Sequence, residues 1–138
     1  MTIRNWEGIA IIIGAGDICK NIRDYLITIA PKLEVKLYGR DLKRSSDIYL
    51  DLEDEDSFSF FVDNLSILRK LIRMVINTSG FLHSKLIKPE KRLSHVNRSK
   101  ISKNFTINAF APILIAKSIE QLIQPELPFL FKFKCKSS

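Results

Sequence analysis

Two structural periods meet between Gly8 and Ile29, and that junction constrains the fold more than any other feature of the chain. The run Ile9 to Ile13 is continuously apolar and ends at Gly14. A strand with one wet face would alternate, so an unbroken Ile-rich run bounded by glycine reads as a parallel strand covered on both faces. From Asp17 the period changes: Ile18, Ile22, Tyr25, Leu26 and Ile29 fall on one helical face until Pro31 stops the pattern. A strand passed to a helix through a glycine turn opens a βαβ architecture.

The pattern continues along the chain. Val35 to Tyr38 predicts a second strand closed by Gly39, and Ile48 to Leu50 a third. The acidic run Asp51, Glu53, Asp54, Glu55 and Asp56 precedes Phe58, Phe61, Val62 and Leu65 at helical spacing. Glu53 to Asp56 therefore read as a solvated helix start, where carboxylates favour the macrodipole. Leu71 to Ile76 predicts strand four, ended by the turn-forming Asn77-Thr78-Ser79-Gly80. A basic loop from His83 to Lys100 leads into a long apolar-periodic stretch, Ile101 to Ile123, expected as a helix perturbed by Pro112. Strands alternating with helices over short connections mean a parallel sheet. The tail differs in kind: from Phe129 to Lys136, aromatics and Cys135 alternate with three lysines. That period fits only an edge strand, a partner-facing strand or an improvised end, and the improvised end is the preferred reading.

Composition excludes several classes. At 138 residues the chain is one domain, and 46% hydrophobic with 27% charged residues excludes a disordered or low-complexity chain. Cys19 and Cys135 lie far apart and outside any CxxC, which excludes a disulfide framework, argues against zinc and points to a reducing cytoplasm. His83 and His95 lack acidic or thiol neighbours at ligand spacing, so no metal site is expected. No stretch approaches the roughly 20 apolar residues of a membrane span, and the N-terminal run is too short for a signal segment, so a soluble protein is expected. The net charge of +7 is unevenly spread: residues 1–69 carry nine Lys/Arg against twelve Asp/Glu, net −3, and residues 70–138 thirteen against three, net +10. A basic half fits either an anionic partner or the absence of an acidic balancing segment.

The chemistry concentrates at Gly14-Ala15-Gly16-Asp17-Ile18-Cys19, after the first strand and opening the first helix. Helix N–H groups and the positive helix end attract a pyrophosphate there. The pattern is G-x-G-x-x-C, so Cys19 replaces the third glycine that lets helix and strand pack closely. Arg40, just beyond strand two, stands near where a dinucleotide fold reads the ribose. A basic residue there suits a 2′-phosphate, hence NADP over NAD, and it reads equally as a solvated turn arginine beside Lys43 and Arg44.

The succession GAGDIC, YGR (Tyr38 to Arg40), DL (Asp51-Leu52), VINTSG (Val75 to Gly80) and FTINAFAPILIAK (Phe105 to Lys117) resembles the first half of a short-chain dehydrogenase/reductase. It is most similar to the branch of C-factor-like cell signalling proteins, over residues 8 to about 124. The resemblance implies an NAD(P)-binding α/β domain over residues 1–124, with a Rossmann-like parallel sheet in the order 3-2-1-4, flanked by helices and incomplete on its C-terminal side. An atypical Phe/Lys tail would follow over residues 125–138. The implied cofactor is NADP, with NAD the second candidate. Gly14 and Gly16 would line its phosphates, with Ile18 also among the cofactor-binding residues, Arg40 at the 2′-phosphate, Asp51 and the Leu52 backbone at the adenine, and Asn77 to Gly80 beneath it. Asn108 matches the Asn of the family's catalytic tetrad, which holds a water in the proton relay. Without the resemblance it is a polar residue bonding within a buried helix.

Departures from the family pattern bear on activity. The glycine loop is one residue shorter, with Asp17 and Cys19 where the family has glycine. A carboxylate there repels a pyrophosphate unless it turns back to cap the helix. The family's hydride transfer between NADP(H) and a carbonyl or alcohol uses a Tyr as general acid/base, a Lys four residues on, and a Ser. Tyr25, Tyr38 and Tyr49 are followed at that spacing by Ile29, Leu42 and Glu53, so a shortened, inactive family member that at most binds the dinucleotide is expected. The alternative is a non-catalytic module binding a partner protein or nucleic acid through its basic C-terminal half, where residues 83–103 hold seven Lys/Arg against one Asp/Glu. With no aromatic platform or recognition helix to be located, nucleic acid is the weaker version. A half-sheet leaves strand four without its usual neighbour, so self-association is expected through that edge, the 101–123 helix or the Phe129 to Phe133 tail.

Overall fold

A computed structural model describes residues 2–14, 16–40, 47–81, 91–120, 122–123 and 130–133. Ala15, Lys43, Arg44, the first part of the basic loop and the flanks of the Phe/Lys tail lie outside the described residues. The elements run β1 (Gly8–Ile13), α1 (Asp17–Ile29), β2 (Leu33–Gly39), β3 (Ile48–Tyr49), α2 (Glu55–Leu68), β4 (Ile72–Asn77), α3 (Arg98–Phe105), α4 (Ala111–Glu120) and β5 (Leu130–Phe133). All neighbouring strands are parallel, in the order β3-β2-β1-β4-β5. The expected Rossmann-like order is present, extended by a fifth strand.

β1 explains its own composition. Ile9, Ile11 and Ile13 point into one core with Tyr38, Phe61, Leu65, Val75, Ile115 and Ile119, the side covered by α2 and α4. Ala10 and Ile12 point into the other with Cys19, Leu26, Leu37 and Met74, the side covered by α1. No residue from Ile9 to Ile13 is more than 1% exposed, and each buried isoleucine contributes about 1.5–3 kcal/mol. A strand between two helical layers has no wet face, hence no alternation.

α1 sits turned from the expected face. Cys19 and Leu26 are buried with Ile22 and Ile29 alongside, whereas Ile18 and Tyr25 are 41% and 63% exposed. The Cys19 thiol reaches Thr78 Oγ1 at 2.8 Å, a contact that directs this position to the sheet. β4 contains a bulge: Ile9 pairs with Ile72 but Ala10 with Met74, so Arg73 is the extra residue. That irregularity turns both Arg73 and Met74 toward the α1 side, where the Arg73 guanidinium lies 4.6 Å from the centre of the Trp6 ring.

Two expectations are corrected. The helix expected over 101–123 starts at Arg98, capped by Asn97 Oδ1 accepting from the Lys100 N–H at 3.0 Å, and is interrupted by a π-helical turn, Thr106–Phe110. Pro112 lacks an N–H and its ring crowds the carbonyl four residues back, a conflict that the wider turn relieves. The β4 edge is not open either: Met74, Val75, Ile76 and Asn77 pair with Leu130, Phe131, Lys132 and Phe133. The chain's own tail supplies the hydrogen-bonding partner that an edge strand lacks. Among the described residues, no helix is long and apolar enough to cross a membrane.

Candidate functional site

The chain runs from β1 outward through β2 and β3 on one side and returns to β4 on the other. Strand order reverses at β1/β4, where open α/β sheets form a crevice beyond the carboxyl ends of their strands. A cleft of about 340 Å³ lies there, walled by residues 16–19 of the β1–α1 junction, Tyr38 to Arg40, Leu50 to Leu52, Thr78 to Phe81, and Ile107 from the π-helical turn. Of the expected residues, Gly14, Gly16, Ile18, Arg40, Asp51, Leu52 and Gly80 all line this one cleft. Asn77 and Asn108 do not.

Its geometry begins with two glycines at positive φ, Gly14 at 140° and Gly16 at 130°. Gly14 donates its N–H to the Tyr38 carbonyl at 2.8 Å, and Thr78 ties β4 to β1 by donating its N–H (2.8 Å) and Oγ1–H (3.1 Å) to the Ile13 carbonyl. A methyl on Gly14 would come within 2.3 Å of Thr78 Oγ1 and 3.0 Å of Cys19 Sγ. Glycine is therefore required by space as well as by backbone angle. Gly16 is different: nothing lies within 4 Å of where its methyl would stand, so the chain passes there beside an open surface. Gly16 is the N-cap of α1 and makes no side-chain cap bond, and Asp17 is the first helical residue. The cap proposed for Asp17 thus falls to Gly16. The Asp17 carboxylate instead favours the helix dipole from the cleft wall.

The acidic run divides into distinct tasks. Asp51 Oδ1 accepts the Glu53 N–H at 3.0 Å while the Asp51 N–H donates to Ser57 Oγ at 2.8 Å, which fixes this residue at the cleft. Asp54 caps α2 by accepting the Asp56 N–H at 3.1 Å. Glu53 pairs with Lys103 Nζ at 2.9 Å, and the same ammonium lies 4.9 Å from the centre of the Phe81 ring. Glu53, expected as merely solvated, joins α3 to the rim. Neither Lys103 nor Phe81 was marked by sequence, since no local pattern links positions that far apart.

Tyr38 forms the floor. It is fully buried, donates its hydroxyl to Asn64 Oδ1 at 3.0 Å, and meets Phe61 edge-on with ring centres 4.9 Å apart. Burial, with a smaller contribution from the Asp47 charge, pushes its phenol up to about 12, so it stays neutral, with its hydroxyl turned to Asn64. Asn77 is 2% exposed and its Oδ1 accepts the Ser79 N–H at 3.0 Å, shaping the turn below the cleft. Asn108 grips the Phe81 backbone with both ends of its amide, Oδ1 accepting the N–H at 2.8 Å and Nδ2 donating to the carbonyl at 2.7 Å. It bonds across to the loop after β4 as well as to Asn104 in its own helix.

Among the described residues the walls carry two carboxylates, Asp17 and Asp51, and one guanidinium, Arg40. A nucleotide fits this arrangement in location, in the open face at Gly16 and in the cation at Arg40. Asp17 opposes any phosphate placed at the α1 terminus. Among the described residues no group of His, Cys, Asp or Glu has the makings of a metal site.

No family model matches the sequence, and no curated protein matches it. Solved structures do resemble the fold. A short-chain dehydrogenase/reductase from Saccharomyces cerevisiae superimposes with a TM-score of 0.70 at 17% identity, over 89% of this chain and 52% of its own. A short-chain dehydrogenase family protein from Francisella tularensis gives 0.68 at 14%, over 92% and 51%. An NADPH-bound carbonyl reductase from chicken gives 0.65 at 15%, over 86% and 50%. The chain spans about half the length of these structures, and at such identities the likeness is one of architecture. The order 3-2-1-4 and the helical layers on both faces give this chain an α/β, Rossmann-like fold shared with about half of each of these short-chain dehydrogenase/reductase structures.

Proposed function

We propose that this chain is a member of the short-chain dehydrogenase/reductase family, close to its C-factor-like branch, and that its cleft binds NADP(H). One observation carries the reading: Gly14 and Gly16, Arg40, Asp51 and Leu52, and Gly80 come from four separate strand ends and line one cleft. The NADPH-bound state of the chicken carbonyl reductase, which shares the fold, supports it. The open face at Gly16 would take the phosphates, Arg40 the 2′-phosphate, and Asp51 with Leu52 the adenine. Arg40 favours NADP over NAD, because a guanidinium pairs bidentately with a phosphate.

A nicotinamide dinucleotide supplies a hydride donor or acceptor, but turnover needs a proton source beside it. No Tyr in these 138 residues has a Lys four positions on, and Tyr38 is locked neutral beneath the cleft. Asn108 holds the post-β4 loop against the π-helical turn, a positioning role. The 138-residue chain therefore binds and does not reduce. Titrating NADPH and NADH while following nicotinamide fluorescence tests both parts. Saturable binding is expected, tighter for NADPH, with the preference reduced about tenfold or more by Arg40→Ala as one charge-assisted contact is lost. No saturable binding of either dinucleotide would defeat the reading, and carbonyl-dependent NADPH oxidation would defeat its catalytic half.

A further inference from the structure

The strand ends that line the cleft present their charges in the order of the sheet: Asp51 after β3, Arg40 after β2 and Asp17 after β1. Among the described residues one cation therefore stands between two carboxylates. Arg40 and Asp17 are both exposed, and neither forms an ion pair with the other or with any described residue. Asp51 is committed on one side only. Its Oδ1 accepts the Glu53 N–H at 3.0 Å and its main-chain N–H is donated to Ser57 Oγ, so the other carboxylate oxygen is left to accept, and a ligand there must offer an N–H. Leu52 and Ile107 add apolar surface to the same cleft.

Neighbouring strands lie about 4.8 Å apart, so a base bearing an amino group at Asp51 brings its own sugar to Arg40. A phosphate on that sugar carries about −1.5 to −2 charges at pH 7 and pairs bidentately with a guanidinium. One strand further on, the 5′ side of the same nucleotide meets the α1 terminus and Asp17. The helix end is equivalent to about half a positive charge, whereas Asp17, the first helical residue, carries a full negative one, so repulsion offsets the attraction of the N–H groups. The cleft volume of about 340 Å³ lies at the low end of the roughly 300–1,000 Å³ of small-molecule sites, which suits one nucleotide better than two. We propose that the cleft selects adenosine phosphorylated on its ribose 2′-hydroxyl and gains nothing from a 5′-pyrophosphate, so that adenosine 2′-monophosphate binds as well as the whole dinucleotide. This inference rests on the reading of the cleft as a nucleotide site and narrows it to one end of the ligand.

Isothermal titration of the full chain with adenosine 2′-monophosphate, adenosine 5′-monophosphate and NADPH is the direct test. The 2′-monophosphate is expected to match NADPH within about threefold or to bind tighter, and the 5′-monophosphate to bind at least about tenfold more weakly than its isomer. Two substitutions separate the ends of the cleft. Asp17→Asn should tighten the 5′-monophosphate and NADPH about threefold or more and leave the 2′-monophosphate unchanged, whereas Arg40→Ala should weaken the 2′-monophosphate about tenfold or more. NADPH binding more than about threefold tighter than the 2′-monophosphate, or equal binding of the two monophosphates, overturns the inference and leaves the dinucleotide reading standing. Binding of none of the three overturns that reading as well.

Discussion

Alanine at Gly14 and alanine at Gly16 share a backbone problem and differ in space, so comparing them measures how tightly the β1–β4 junction is packed. Both glycines sit at positive φ, 140° and 130°, where an L side chain is strained by about 1–3 kcal/mol. At Gly16 the added methyl meets nothing within 4 Å, whereas at Gly14 it falls 2.3 Å from Thr78 Oγ1, 3.0 Å from Cys19 Sγ and 3.3 Å from the Ser79 nitrogen. Thr78 Oγ1 does not swing aside freely, because it is held to the Ile13 carbonyl at 3.1 Å and to Cys19 Sγ at 2.8 Å. Overpacking of this kind adds about 1–3 kcal/mol. Gly14→Ala is therefore expected to lose about 2–6 kcal/mol and Gly16→Ala about 1–3 kcal/mol. Against a total of about 5–15 kcal/mol the first leaves a narrow margin and the second a folded protein. Urea unfolding followed by circular dichroism gives both values. Adding Thr78→Ala to Gly14→Ala removes the closest atom, and the double-mutant cycle should show a coupling of about 1 kcal/mol or more. Equal losses for the two glycines, together with zero coupling to Thr78, would refute this account of the junction.

Asp17→Asn removes a like charge from the end of α1 that faces the cleft, so it should tighten NADPH binding about threefold or more and leave adenosine binding unchanged; isothermal titration with both ligands distinguishes the two. Asn108→Ala removes both bonds to the Phe81 backbone, so the Phe81 amide should exchange with solvent at least about tenfold faster by NMR, at about 1–2 kcal/mol of stability. Tyr38 has a folded pKa of about 12 against its ordinary value of 10.0. Unfolding thus releases a proton between those values. Stability present below about pH 10 falls as pH rises toward 12, by at most about 2–3 kcal/mol. Denaturant midpoints across that range should flatten in Tyr38→Phe, which also loses the bond to Asn64 Oδ1 and starts about 1 kcal/mol lower.

The strands were legible because their signal is local. An isoleucine run ending at glycine has one structural meaning when both faces are covered, and β1, β2 and β4 follow it within a residue or two. The cleft residues were legible for a related reason: a parallel sheet places its loops at the carboxyl ends of the strands, so residues just after each strand converge whatever their separation in sequence. Asn108 shows where this stops. Its match to a motif gave the position, while the partner, the Phe81 backbone, follows only from how the loop after β4 meets the π-helical turn.

The sequence by itself determined the alternation of strand and helix, the glycine turn at the head of α1 and the absence of a Tyr-to-Lys spacing, since each is a property of neighbouring residues. Tertiary structure alone decided which way α1 is turned, that β4 carries a bulge at Arg73, that β5 covers the β4 edge, and that Lys103 bridges Glu53 and Phe81. These depend on distances between groups tens of residues apart, and on competition among contacts for the same space. Periodicity names the face a side chain seeks, and only the packed chain settles which neighbour it finds there.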